Sequence, residues 1–425
     1  MRRIVAACLI AAFLAFAYQE SVHFLRWNEV EPVLETVVAG FGKVPDVKDT
    51  ADWDNWIRER DFAIRNRVDH GIEDSISELI LFGTSFPAPQ KISTAASAVN
   101  AAGDLTASAR ARVAAFIDAL DEIDNERFRI ILEFLRRRRV TEEELSAFLT
   151  GNLRRFAIEQ GGSLRKPTPV EAGLPSESSF LVNFAIEETL RSLKASNKLP
   201  PNIRRIAVVG PGLDFGGSSE SYDVAAPQSI QPFAIMDTVL RLGVSPPSDL
   251  KLAALDLNPL VLLHLRALAA KARGGASCVL QLPRTMPSAW NTGAVAYWRR
   301  FGDSVGTPAA SVTAPAGIEL RAVAVKPQIA SRIFSEDVDI VAQTIEAAPG
   351  FDLVIATDVL GYYTHGEQVL ALTSISRMMA PGGILLCDGV APLPKILMLE
   401  DLGSQHTSYT DVGNAGADLI VLRRR

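Results

Sequence analysis

The amino-acid sequence predicts an α/β protein in which a doubly wound, mostly parallel sheet follows an α-helical N-terminal domain. Three observations lead to this prediction. Residues 177–425 alternate short apolar runs with helical segments, which is typical of a parallel sheet. A glycine-rich turn follows the first apolar run. Residues 20–165 carry mostly helical periodicity, with few strand-like alternations.

Composition limits the classes of function that the chain can have. Its 425 residues, 48% of them hydrophobic, are enough for about two domains with substantial cores. A formal net charge of -6 gives no electrostatic case for nucleic-acid binding. The three cysteines lie far apart and the five histidines are scattered, so neither a disulfide framework nor a metal-ligand spacing is present.

Residues 1–19 are predicted to be a signal peptide or a membrane anchor. Two arginines precede an apolar run that closes on small residues, which is the pattern of a secretory signal. The run is shorter than the roughly 20 residues of a membrane span, but Tyr18 extends it as an interfacial residue, so residues 4–18 are a candidate for membrane association. An N-terminal helix packed on the protein and a misplaced translation start are the alternatives.

The predicted helical domain contains several separate helices. Residues 69–86 indicate a helix that begins near Glu73 and ends at Gly83, and further helices are predicted over 107–121 and 125–139. Thr141 and Glu144 form a predicted capping box for the next helix. The four arginines at 136–139 are interpreted as a solvated helix end, with a phosphate or membrane contact as the alternative. A loop is expected over 87–106 and a domain boundary over 161–176.

The C-terminal half predicts the strands of the sheet in order. A strand over 206–210 ends in the spacing G-x-G-x-x-x-G, formed by Gly210, Gly212 and Gly216, where the backbone can turn sharply and approach a ligand. A helix over 231–242 follows, and a second strand over 251–255 ends at Asp256. A carboxylate at that strand end can accept both hydroxyls of a ribose, although a helix cap is the plainer interpretation.

The rest of the C-terminal half is predicted in the same way. Residues 274–346 hold an expected insertion, about 283–315, and one strand near 320–325. A buried strand over 353–356 brings Thr357 and Asp358 to the sheet edge where open α/β sheets bind ligands. A helix over 368–379, another strand and a closing antiparallel hairpin complete the Rossmann-like fold.

Residues 180–425 resemble the class I S-adenosylmethionine-dependent methyltransferases. The resemblance is carried by four motifs in order: VVGPGLDFGG, LDLNP, FDLVIATDVLGYY and MMAPGGILLCDG. Within that superfamily, QPFAIMDTVLRLG and DVLGYY are most similar to the chemotaxis-receptor methyltransferase branch. The resemblance implies methyl transfer from S-adenosylmethionine to an acceptor that the sequence does not identify.

The resemblance also implies roles for individual residues. The implied cofactor-binding residues are Gly210, Gly212, Asp214, Gly216, Asp256, Leu257 and Thr357. Thr357 and Asp358 would lie beside the cofactor where the substrate enters, with Tyr362 and Tyr363 as walls. For a hydroxyl or amine acceptor, Asp358 or His365 is the candidate base, and a surface position is the alternative for His365.

Two departures from the family pattern leave other functions open. Val209 stands where many members have an acid, with Asp214 and Glu220 as candidates to replace it, and the acid near the adenine is one of Glu336, Asp337 and Asp339. The alternatives are a non-catalytic binding or scaffold protein and a nicotinamide-dependent oxidoreductase. An exported or membrane-associated location would conflict with the cytosolic supply of S-adenosylmethionine.

Overall fold

A computed structural model describes residues 21–37, 50–89, 92–123, 126–160, 180–213, 226–283, 290–313, 319–390, 397–411 and 415–425. Up to residue 160 the described chain is mainly helical, as predicted. Its elements are β1 (Ser21–Phe24), α1 (Trp27–Val37), α2 (Thr50–Phe82), α3 (Ala107–Glu122), α4 (Glu126–Arg137) and α5 (Glu142–Gln160). The predicted capping box is confirmed, because the Glu144 amide donates to Thr141 Oγ1 at 3.3 Å and the Thr141 amide donates to Glu144 Oε2 at 3.2 Å.

Helix α2 is one continuous helix of 33 residues, about 50 Å long, so the predicted start near Glu73 is wrong. Gly71 lies two residues before the predicted start and is buried in the interior of the helix. The helix persists because tertiary packing overrides the weak local preference against glycine. Arg137 and Arg138 at the end of α4 pair with Asp69 of α2, and Arg138 also reaches Glu73 at 3.2 Å. These two arginines therefore tie α4 to α2.

The central sheet has seven strands in the order β11-β12-β10-β9-β2-β3-β7. The five strands from β10 to β7 run parallel, and β12 lies antiparallel between β10 and β11, which confirms the closing hairpin. The strands are β2 (Arg205–Val209), β3 (Lys251–Asp256), β7 (Ile333–Asp337), β9 (Phe351–Ala356), β10 (Met379–Cys387), β11 (Leu399–Ser408) and β12 (Gly416–Arg424). Helix α6 (Phe180–Ala195) precedes β2, and the helices between the strands include α7 (Gln231–Arg241), α8 (Pro259–Arg273) and α11 (His365–Met378).

The two faces of the sheet belong to two hydrophobic clusters, because successive side chains of a strand point to opposite faces. In β2, Ile206 and Val208 pack in the cluster that contains α6, α7 and α8. Ala207 and Val209 pack in the other cluster, with α1 and α11. Strands buried on both faces read as continuous apolar runs, which is why the sequence predicted β2, β3 and β9.

The N-terminal helices share their cores with this sheet. Helix α2 contributes Ile64 to the cluster that contains α1 and α11, and Ile72 to the cluster that contains α6, α7 and α8. Apolar residues of α3, α4 and α5 belong to the same cluster as Ile72. Strand β1 pairs antiparallel with β8 (Gln343–Glu346). A separate helical domain is therefore not confirmed by the described contacts.

Residues 274–346, which hold the predicted insertion at about 283–315, contain a small antiparallel sheet in the order β4-β6-β5. Its elements, with the short helix that follows, are β4 (Cys278–Pro283), α9 (Thr292–Arg300), β5 (Gly306–Ala309), β6 (Leu320–Val325) and α10 (Pro327–Ala330). The predicted strand near 320–325 is confirmed as β6, while β4, β5 and β7 were not predicted. Four-residue β5, which contains Pro308, carries too little alternation to be recognised.

No helix in the described ranges is both long and apolar enough to cross a membrane. The predicted signal peptide or anchor at residues 1–19 and the predicted boundary at 161–176 lie outside those ranges.

Candidate functional site

A pocket opens at the carboxyl edge of the central sheet, where β2, β3 and β9 end. The register pairs Val209 with Leu255 and Val208 with Ile355, so the residues that follow these strands meet at one edge. The pocket encloses about 730 Å³ including its open mouth, a size typical of small-molecule sites. Its described lining consists of Val68, Val209, Gly210, Gly212, Leu255, Asp256, Leu257, Asn258, Val261, Val338, Ile340, Thr357, Asp358, Val359, Tyr362 and Tyr363.

The turn after β2 requires glycine for two reasons. Gly210 and Gly212 have φ values of 63° and 72°, in the left-handed region that favours glycine. A Cβ on Gly210 would also lie 2.7 Å from Val359 Cγ2. The turn is held to the next strand because the Gly210 amide donates to the Leu255 carbonyl at 2.8 Å. The predicted site residues Asp214 and Gly216, and Glu220, lie outside the described residues.

Asp256 stands at the end of β3, as the sequence predicted. Its Oδ1 accepts the Asn258 amide at 2.8 Å, which fixes the orientation of the carboxyl group. Burial raises the pKa of Asp256 to about 6, against the lowering effect of the backbone N–H groups of Asn258, Gly212 and Leu257. The group is therefore mostly ionised at neutral pH and offers acceptor positions to hydroxyl donors in the pocket.

Thr357 and Asp358 follow β9 and line the same pocket, so the structure brings the strand-end candidates together. Thr357 is 2% exposed, and its Oγ1 accepts a hydrogen bond from Gln231 Nε2 at 3.1 Å. Gln231 begins α7, which follows the glycine turn in the chain. It positions Thr357 from behind and was not predicted as part of the site.

Asp358 forms a pair with Asp388, a residue that the sequence analysis did not single out. The Asp358 amide donates to both carboxylate oxygens of Asp388, at 3.0 and 3.1 Å, and Asp358 has a φ of 56°. Burial and the nearby charge of Asp358 raise the pKa of Asp388 to about 6. The Asp388 carboxyl group, held beside the pocket residue Asp358, can accept a proton near neutral pH.

The N-terminal helix α2 supplies part of the pocket wall. Val68 lines the pocket, and the neighbouring Arg67 donates to the Tyr362 carbonyl at 2.6 Å. The Arg67 guanidinium also lies 5.9 Å from the ring centre of Tyr363. These contacts hold the turn that carries both tyrosines, and Tyr363 is buried while Tyr362 is 39% exposed. Both tyrosines line the pocket, in agreement with the interpretation of them as walls.

His365 is the one predicted site residue in the described chain that does not line the pocket. It is the first residue of α11, whose start is set by Thr364 and Glu367. The Thr364 amide donates to Glu367 Oε2 at 2.9 Å, which completes a capping box. The structure therefore separates His365 from the strand-end residues.

The three candidate acids near an adenine are also outside the lining. Val338 and Ile340 contact the pocket, whereas Asp337 pairs with Arg65 at 2.7 Å. Asp339 is fully buried, and its Oδ1 accepts the Val341 amide at 2.9 Å. Burial raises the pKa of Asp339 to about 8. The end of β7 therefore offers the pocket apolar side chains.

Replacing Asp339 by asparagine is expected to raise stability relative to the native chain, and to do so more strongly as the pH rises. A carboxyl group whose pKa is raised in the folded state favours folding below its unfolded pKa of about 3.9, and that contribution is lost as the pH rises through about 8. The groups around it are Asp61, Arg65, Arg67 and Tyr363. Urea unfolding at pH 5, 7 and 9 measures the free energy of unfolding of both proteins. The excess of the Asp339→Asn variant over the native chain should grow by at least about 1.4 kcal/mol between pH 5 and pH 9, which is the equivalent of one pKa unit. A constant difference would contradict the prediction.

Comparisons with known proteins give structural similarity only. No protein-family model and no curated protein matches the chain. The N-methyltransferase NodS from Bradyrhizobium japonicum WM9, in complex with S-adenosyl-L-homocysteine, is 13% identical over 56% of this chain and 86% of its own, with a TM-score of 0.28. Magnesium protoporphyrin IX methyltransferase ChlM from Synechocystis PCC 6803, with bound S-adenosylmethionine, is 9% identical over 59% and 86%, with a TM-score of 0.28. The glycopeptide N-methyltransferase MtfA is 10% identical over 56% and 89%, with a TM-score of 0.26.

Proposed function

We propose that this chain binds S-adenosylmethionine at the carboxyl edge of its sheet and transfers the methyl group to an acceptor. The observation that carries the proposal is the position of Asp256. Its carboxyl group is oriented by the backbone, stands beside the glycine turn and opens into a pocket with mainly apolar walls. This combination suits an adenosine, because a ribose presents two hydroxyl donors and the base presents a flat apolar face.

The residues around Asp256 fit the rest of an adenosyl ligand. Leu257, Val261, Val338 and Ile340 supply apolar surface for the base. Gly210 and Gly212 expose backbone in the same lining, where no glycine side chain obstructs a ligand. The motif resemblance described above supports the same assignment, whereas the structural neighbours have TM-scores of 0.28 or lower and add no argument about activity.

When bound, S-adenosylmethionine supplies a methyl group on a positively charged sulfur, which needs little acid or base assistance. The chain therefore has to orient the reactants and exclude water. In the proposal, Asp256 holds the ribose hydroxyls, and Thr357, braced by Gln231, limits the pocket near the opening. Asp358 lines the pocket where the acceptor would enter, and Asp388 beside it, whose pKa is raised by burial to about 6, accepts the proton of a hydroxyl or ammonium acceptor.

Calorimetric titration of the full chain at pH 7.5 tests the proposal. S-adenosylmethionine and S-adenosylhomocysteine are expected to bind with micromolar affinity, and NADH is expected not to bind. Binding of NADH in place of the adenosyl ligands would support the oxidoreductase alternative. Failure of all three to bind would overturn the proposal and support a scaffold that uses the fold without the cofactor.

The affinity for S-adenosylhomocysteine is expected to fall as the pH drops below about 6. A folded-state pKa of about 6 means that Asp256 becomes protonated there, and a protonated carboxyl group loses acceptor capacity for the ribose. The dissociation constant should rise about tenfold for each pH unit below the pKa, because binding then requires loss of a proton. Calorimetry between pH 7.5 and 5 measures this change.

Asp388 has a similar pKa and needs its own control. An Asp388→Asn variant is expected to keep the pH dependence, whereas an Asp256→Asn variant should bind weakly at every pH. An affinity of the native chain that does not change between pH 7.5 and 5 would exclude the ionised Asp256 from ligand binding.

A further inference from the structure

Asn258 is a pocket residue whose side chain is only half explained by the fold. It is 4% exposed and caps α8, with Oδ1 accepting the Leu260 amide at 3.0 Å. The Nδ2 group is buried and has no hydrogen-bond partner in the described part of the chain. Because the oxygen must face the Leu260 amide, the capping bond also determines which end of the amide is the nitrogen.

The cap alone does not explain an asparagine at this position. Aspartate caps helices about as well, and an ionised carboxylate carries no donor that could be buried without a partner. A buried N–H that has lost its water and gained no acceptor is unfavourable. The nitrogen lies on a residue that lines the pocket, two positions after Asp256. A ligand acceptor that comes within hydrogen-bond distance of this nitrogen would remove that unfavourable contribution.

We propose that Asn258 Nδ2 donates a hydrogen bond to a ring nitrogen of the adenine in the bound adenosyl ligand. This inference rests on the proposed function and adds to it a residue that selects the base. The neighbouring Asp256 provides acceptors for the ribose hydroxyls, whereas the adenine ring nitrogens are acceptors only and require a donor. Leu257 and Val261, which flank this stretch of the pocket, offer no side-chain donor.

An Asn258→Ser variant separates the two functions of the side chain. Serine keeps a hydroxyl that can cap α8 and lacks the amide nitrogen, so thermal stability should change little. Affinity of the full chain for S-adenosylhomocysteine, measured by calorimetry at pH 7.5, is expected to fall about tenfold to a hundredfold. Asn258→Asp also keeps the cap and should weaken binding at least as much, because it replaces the donor by an acceptor.

Analogues of S-adenosylhomocysteine that lack one ring nitrogen identify the partner atom. Among the 1-deaza, 3-deaza and 7-deaza compounds, one should bind the native chain as weakly as the parent ligand binds the serine variant. That compound should bind the Asn258→Ser variant almost as tightly as it binds the native chain, because the hydrogen bond that the substitution removes is already absent with this compound. If each of the three analogues loses the same affinity relative to S-adenosylhomocysteine, in the native chain and in Asn258→Ser alike, Asn258 acts on structure alone and the proposal is overturned.

The remaining outcomes distinguish this inference from the function on which it depends. If Asn258→Ser binds S-adenosylhomocysteine as the native chain does while Asp256→Ala does not, the adenine contact is wrong and the proposed function stands. If the native chain binds no adenosyl ligand, the proposed function fails and the adenine contact fails with it.

Discussion

Replacing Asp256 by alanine is expected to weaken binding of S-adenosylhomocysteine at least about a hundredfold, beyond calorimetric detection for a micromolar ligand. The variant loses the carboxylate that would accept both ribose hydroxyls, and hydrogen bonds to a charged group are worth about 1.5–3 kcal/mol each. The fold should remain, because Asp256 lies at a strand end and its side chain bonds only with nearby backbone. Calorimetry at pH 7.5 and a thermal melt of each variant are the measurements.

Asp337→Ala is the matched control for this experiment. Asp337 stands directly opposite Asp256 in the register of β3 and β7, at the same edge of the sheet. It is outside the pocket lining and pairs with Arg65. We expect its replacement to leave the affinity within about threefold of the native value. A loss in Asp337→Ala equal to that in Asp256→Ala would mean that the sheet edge as a whole, rather than the Asp256 carboxylate, determines binding.

Replacing Glu187 by alanine is expected to destabilise the fold by about 3–5 kcal/mol. Glu187 is fully buried, and its two oxygens accept hydrogen bonds from Arg241 at 2.7 and 2.6 Å and from Arg300 at 2.5 Å. Burial raises the pKa of Glu187, but the hydrogen bonds from the two arginines outweigh it and lower the pKa overall. Removing the carboxylate leaves two partly buried guanidinium groups without this partner.

This glutamate joins three elements, because it lies on α6 while Arg241 ends α7 and Arg300 ends α9. Glu188→Ala is the neighbouring control, since Glu188 is 29% exposed and pairs with the half-exposed Arg191 at 3.5 Å. The Glu188→Ala substitution should lower the free energy of unfolding by no more than about 1 kcal/mol, the upper end of what a surface ion pair typically contributes. Urea unfolding at pH 7 measures both variants, and equal costs would show that the buried carboxylate adds no net stability.

The sequence by itself determined the strands of the central sheet in order, except for β7, and the residues at the ends of β2, β3 and β9. Gly210, Asp256 and Thr357 each follow an apolar run directly, and parallel strands bring their carboxyl ends to one edge. These inferences succeeded because they depend on local patterns, namely continuous apolar runs, turn glycines and the polar residue after a strand.

Only the tertiary structure decided which other residues complete the pocket. Asp388 meets Asp358 across 30 residues of sequence, and Arg67 reaches Tyr362 across 295. Val68 lies on helix α2, far in sequence from the strand ends that line the same pocket, and no local pattern marks it as a pocket residue. Similarly, Asn258 reads as a helix cap until its buried amide nitrogen is seen without an acceptor. Such contacts arise from the packing of distant segments, which leaves no local signature in a single sequence.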